Sequence, residues 1–119
     1  MNRSEAQSIV EASFSRPIAT PNTSQLPREE FIELEKAKLL QSLIEPFEVI
    51  SYAGTWAIEH CGFEEKEYRM IAIANEGTTW LLYEPASQHF YKAWRTEGSS
   101  SKLFLLGFHS DDALTEWRG

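Results

Sequence analysis

The sequence predicts an α+β domain: two N-terminal helices, a five- or six-stranded, mainly antiparallel sheet, and a short C-terminal helix. Three observations carry this expectation. Apolar residues recur at helical spacing as far as Ile44, whereas from Phe47 onward they gather in short runs rich in β-branched and aromatic residues. The links between those runs are brief and made of turn residues, which favours antiparallel neighbours because parallel strands need long crossovers. At 119 residues the chain suits one domain, with 1–26 a helix and proline-rich connection and 27–119 the α+β core.

The first helix is expected from about Ser4 to Ser15. Ser4 and Gln7 stand at capping-box spacing, Ala6, Ile9, Val10 and Phe14 share a face, and Pro17 ends the run. Pro17 to Pro27 has no hydrophobic period and reads as an extended connection that leaves the first helix free to fold back or swap. A second helix is expected from Pro27 to Ile44. Proline suits its first turn, Glu29 and Glu30 suit the positive end of its dipole, and Pro46 closes it. Ile32, Leu39, Leu40, Leu43 and Ile44 form its apolar stripe, with Phe31 and Leu34 on a flank shared with Glu35 and Lys38.

Strands are expected at about 47–53, 55–60, 67–74, 78–84, 88–95 and 102–108. Gly54, Asn75-Glu76-Gly77, Pro85-Ala86-Ser87 and the stretch from Glu97 to Ser101 supply the turns. Ser110-Asp111 then signals a helix start, followed by Ala113, Leu114 and Trp117 at helical spacing. The strand holding Phe90, Tyr91 and Trp94 carries aromatics on both faces, as does the strand holding Trp80 and Tyr83. Such a hairpin is either covered on both sides or keeps an aromatic face for a partner.

A net charge of −7 argues against nucleic acid, whose affinity comes from Lys and Arg neutralising phosphates, and fits docking onto a basic partner. Cys61 is the lone cysteine, so no intrachain disulfide can form and a reducing, cytoplasmic setting is expected. No signal-peptide-like or membrane-spanning apolar run is visible, and no membrane partner is expected. His60, His89 and His109 lack ligand-like spacing, and adjacent His60 and Cys61 on a strand would face opposite ways. No metal, cofactor or catalytic residue is therefore expected. Phosphate-loop, nucleophile-elbow and zinc-protease motifs do not occur.

The segment from Glu59 to Glu67 sets four glutamates against Lys66 beside the aromatic hairpin. Charge of one sign at a rim speeds encounter with a protein of the opposite sign, and central aromatics anchor it after docking. Glu64, Glu65, Glu67, Asp111 and Asp112 are the candidate steering residues; Trp80, Tyr91 and Trp94 are the candidate anchors.

From Arg69 to Gly119, the strand MIAIA, the NEG turn, the unit WLLYEPASQHFYKAW and the run LFLLGFHSDDALTEW resemble the C-terminal half of the SMI1/KNR4-like (SUKH) family of bacterial immunity proteins. The N-terminal half departs from that pattern, with PFEVISYAG as its first strand and PIATPNTSQLP foreign to it. The resemblance implies a non-enzymatic protein that binds and neutralises a cognate toxin, often a nuclease. An acidic secretion chaperone or adaptor is the alternative expectation, as is a small-ligand domain using His60 or His89 between helices and sheet. The oligomeric state, monomer or homodimer, stays open.

Overall fold

The computed structural model describes residues 1–15, 24–95 and 102–118. Much of the Pro17–Pro27 connection and the turn expected from Glu97 to Ser101 lie outside them. The chain runs α1 (Arg3–Ser13), α2 (Arg28–Gln41), β1 (Leu43–Ala53), α3 (Thr55–His60), β2 (Glu67–Glu76), β3 (Thr79–Glu84), β4 (His89–Arg95), β5 (Leu103–Ser110) and α4 (Ala113–Arg118). The fold is α+β as expected, with both N-terminal helices, five strands and the short closing helix in place. The sheet closes into a barrel in the order β1-β2-β3-β4-β5. Consecutive strands pair antiparallel, and closure is made by a parallel pairing of β1 with β5 through Ser51↔Leu103, Tyr52↔Phe104 and Ala53↔Leu105.

Several local expectations are corrected. The capping box of α1 is Asn2 with Glu5, not Ser4 with Gln7: the Glu5 backbone N–H donates to Asn2 Oδ1 at 2.8 Å and the Asn2 N–H to Glu5 Oε1 at 3.3 Å. Helix α2 stops at Gln41, and Leu43 and Ile44 begin β1, where Leu43 sits opposite Ala74. Pro46 lies within the irregularity between Leu43 and Phe47, where its missing N–H breaks no ladder bond, and it disfavours helix at Glu45. The buried face of α2 is Phe31, Ile32, Glu35 and Leu39, rotated toward the flank expected to lie off-axis, while Leu34 stays exposed. A carboxylate occupies the middle of that face: Glu35 Oε2 lies 3.0 Å from Arg118 Nε and Oε1 lies 3.4 Å from Lys38 Nζ. The apolar count missed the stripe because one of its members is a glutamate neutralised from α4.

The strand expected at 55–60 is helix α3. Trp56, Ile58 and His60 alternate, but a six-residue run fits either period, and the decision is tertiary. Gly107 on β5, at φ +111°, leaves room there: a Cβ at that position would stand 2.8 Å from Cys61 Sγ and 3.2 Å from Ala57 Cβ. The helical face of Ala57 and Cys61 seats against that glycine.

Two cores result. Inside the barrel lie Met70, Ala72, Trp80, Leu82, Tyr91, Ala93, Leu103 and Leu105. Outside it Ile73, Leu81, Tyr83 and Phe90 are buried with Ala6 and Val10 of α1, Phe31 and Leu39 of α2, and Leu114 and Trp117 of α4. The aromatic hairpin is therefore covered on its inner side by barrel closure and on its outer side by helices over Tyr83 and Phe90, while Trp94 near the end of β4 stays 39% exposed. Among the described residues no helix is long and apolar enough to cross a membrane.

Candidate functional site

One stretch of the barrel's outer wall carries no helix. Side chains alternate along strands, so Tyr52 on β1, Phe104 on β5 and Trp94 on β4 point outward together, and the strand register sets them side by side. Phe104 stands between the other two, with ring centroids 6.4 Å from Tyr52 and 6.0 Å from Trp94. This row floors a cleft of about 710 Å³ over the β1–β5 seam. Ile58 of α3 forms one wall, and the loop after α3 brings Glu65, Lys66 and Glu67 to the rim. Lys102 Nζ lies 5.0 Å from the Tyr52 ring centroid. Trp94 is 39% exposed and both glutamates are exposed. Neither Glu65 nor Glu67 makes an ion pair among the described residues, whereas Glu64 is held 3.4 Å from Lys66.

A second aromatic group adjoins the first on α3 and β5. The Trp56 ring meets Phe108 at 5.2 Å and His60 at 5.3 Å, both in tilted geometry, and all three are exposed, Phe108 by 62%. Together the two groups make an uncovered aromatic surface with a carboxylate rim, the kind of patch that marks interaction sites.

The structure brings Glu65, Glu67 and Trp94 together at this cleft, with Glu64 beside them. The other expected residues lie elsewhere. Trp80 and Tyr91 point into the barrel and are 9% and 8% exposed. Asp112 caps α4, accepting from the Thr115 N–H at 3.1 Å and the Thr115 hydroxyl at 2.7 Å. Asp111 lines a different cleft of about 280 Å³ between α1 and the β3–β4 turn, with Ser13, Tyr83, Gln88 and His89. Sequence reasoning missed Tyr52, Phe104, Trp56 and Phe108. In the run KLFLLGF every residue but the first and the glycine is apolar, so no polar alternation marks which of them face out.

The titratable groups with displaced pKa values belong to the upper end of the barrel and its helix cover. Burial, with His89 next, holds His109 below the ordinary imidazole range, against an opposing pull from Glu84. Burial raises the Tyr91 phenol, with Glu84 adding to it. Burial also raises Glu116, although the Ser110 hydroxyl donates to its Oε2 at 2.7 Å, and burial lowers Lys92, with Arg118 next. His89 and His109 face each other with Nδ1 atoms 2.8 Å apart, so one imidazole donates to the other. Among the described residues no group of three or more His, Cys, Asp or Glu side chains is arranged to hold a metal ion.

Comparison with protein-family models, with curated proteins and with solved structures gives no match. The resemblance to the SUKH immunity proteins therefore rests on the quoted residues alone.

Proposed function

We propose that this chain is a non-enzymatic binding protein of the immunity type, which docks onto a basic toxin and neutralises it. The observation that carries this reading is the cleft in which exposed Trp94 and half-buried Phe104 and Tyr52 lie beside the carboxylates of Glu65 and Glu67, which make no ion pair among the described residues. Exposed aromatics in a concave, preformed surface supply the desolvated anchors that dominate protein interfaces. Carboxylates at the rim speed encounter with a cationic partner and reject an acidic one. The net charge of −7 extends that field over the whole molecule.

The test separates the two contributions. A tagged chain is used to capture its partner at low salt, in parallel with Glu65→Lys/Glu67→Lys and with Trp94→Ala. One basic protein should be recovered by the parent chain. The double charge reversal should slow its association by about tenfold at low salt and less at high salt, where screening shortens the field. Trp94→Ala should act on dissociation and cost about 2 kcal/mol. An acidic partner, or one held equally by both variants, would remove this cleft from the account.

The small-ligand reading draws support from the 280 Å³ cleft between α1 and the β3–β4 turn, where His89, Asp111 and Ser13 converge. Gln88, at φ +58°, holds the adjoining turn in a left-handed conformation uncommon for a non-glycine residue. Saturable chemical-shift changes confined to these residues in a screen of small polar metabolites would favour that reading. A screen without them would leave the interface reading alone.

A further inference from the structure

At the lower end of the barrel, where β3 starts and β4 ends, two buried N–H donors have no acceptor among the described residues. Trp80 points inward from β3, and its indole Nε1 has no hydrogen-bond partner; Arg95 points inward from the adjacent β4, and its Nε has none either. The two belong to one site, because the guanidinium carbon stands 5.0 Å from the Trp80 ring centroid. Phe47 meets Trp80 edge-on at 6.1 Å and is itself 47% exposed, so this end of the barrel reaches the surface beside an apolar side chain. Buried donors are satisfied in nearly all native structures, so a pair of orphans at one opening needs an account.

Charge gives the account its sign. The chain carries 18 acidic residues against 11 basic ones, yet Arg95 makes no ion pair among the described residues. An acceptor that also brings negative charge satisfies both the orphan donors and the guanidinium. We propose that this mouth binds a carboxylate, held by the Arg95 Nε–H and the Trp80 Nε1–H, with the organic part of the ligand against Phe47. A carboxylate fits better than a phosphate for two reasons. It offers two coplanar oxygens to two N–H donors and one charge to desolvate, and a molecule of net charge −7 repels a polyanion more strongly than a monoanion. The inference is independent of the partner cleft, which lies on the outer wall.

The test uses the full ¹⁵N-labelled chain, titrated with sodium acetate, then benzoate, against sodium chloride at matched ionic strength. The Trp80 indole N–H and Arg95 Nε–H resonances should move together to one saturating midpoint, while those of Trp56 and Trp117 stay in place. Arg95→Lys keeps the charge but removes the Nε donor and should weaken binding about tenfold, as should Trp80→Phe, each corresponding to about 1.4 kcal/mol. Arg95→Met, checked for unchanged unfolding, should abolish saturation. A short peptide with a free C-terminal carboxylate, run beside its amide, distinguishes the sources. Saturation by the free acids assigns a small carboxylic acid, and saturation by the free-carboxylate peptide alone assigns a protein chain end. Linear shifts equal to those of chloride, or a long-lived water on both N–H groups with no response to any carboxylate, would overturn the proposal.

Discussion

At the upper end of the barrel Tyr91 stacks on His109 with centroids 4.6 Å apart and planes 11° from parallel, while Phe63 closes over both. At the lower end Trp80 lies beneath Arg95 with Phe47 at its edge. Both ends join a nitrogen base to aromatic rings, and they differ in where their polar atoms go. Above, His109 exchanges a hydrogen bond with His89, and the Ser87 hydroxyl donates to Glu84 Oε1 at 2.6 Å and accepts from the His89 backbone N–H at 3.3 Å. Below, the indole and the guanidinium Nε have no partner among the described residues. Internal satisfaction makes a plug that holds the barrel shut; its absence leaves binding capacity. Similar residue chemistry thus yields a structural element or a site according to its polar partners.

The largest expected effect comes from the upper half of β5, where α3 seats against Gly107 two residues before His109. In Gly107→Ala the new methyl would meet Cys61 Sγ at 2.8 Å and both Ala57 and Trp56 at 3.2 Å, at a backbone φ of +111° that alanine resists. Overpacking and backbone strain together should cost about 3 kcal/mol in chemical denaturation, and α3 should loosen first in hydrogen exchange. A loss under about 1 kcal/mol would mean that α3 is not held by this contact.

A smaller effect tests the polar contrast itself. Ser87→Ala removes the hydroxyl that donates to Glu84 Oε1 at 2.6 Å and accepts from the His89 N–H at 3.3 Å, and should cost about 1 kcal/mol. Arg95→Met removes an unpartnered donor and charge while giving up a cation–π contact of about the same size, so its stability should stay within about 0.5 kcal/mol of the parent chain. Equal losses in the two variants would show that the lower mouth is paired in solution and erase the difference between the ends.

Much of the fold was legible because it is written locally. The hairpin at Gly77 announces itself through Asn75, whose side-chain amide donates to the carbonyls of Gly77 and Thr79 at 3.0 Å each, and through the glycine's φ of +60°. Closure of the sheet was not legible. It depends on the parallel seam from Ser51 to Ala53 against Leu103 to Leu105, which joins the first strand to the last and leaves no trace in the spacing of either. The α3 segment misled because its period is ambiguous and its answer lies at Gly107, far along the chain. Of the candidate site, Glu65, Glu67 and Trp94 were readable as charge and exposed aromatic. Tyr52 and Phe104 were not, since barrel closure brings them to Trp94, and the same closure takes Trp80 and Tyr91 inside.

The smallest expected effect distinguishes the ends by pH. His109 sits lowered from its ordinary 6.5, chiefly by burial and then by His89, so the folded chain binds fewer protons than the unfolded one between the two values. Its contribution is present above that ordinary range and is lost as pH falls from about 6.5 through the folded value. The groups facing the pair are Glu84, which opposes the shift, Tyr91 in the stack, Asp111 across the cleft from His89, and Glu116 and Lys92 toward α4. Glu116 is raised above its ordinary 4.5 and runs the other way, its contribution complete below that range and lost as pH rises through its folded value. Subtracting a His109→Asn variant leaves the imidazole term alone. The stability advantage of the parent chain over that variant should narrow between pH 7.5 and about pH 5, and only slightly, because His109 is exposed and solvent screens much of the effect. The lower mouth holds no imidazole among its described residues, so the Arg95→Met curve should run parallel to that of the parent chain across the same window. Parallel curves for His109→Asn as well would mean that the upper stack takes up its proton without strain, and the plug would then owe its stability to ring packing rather than to the hydrogen bond between the histidines.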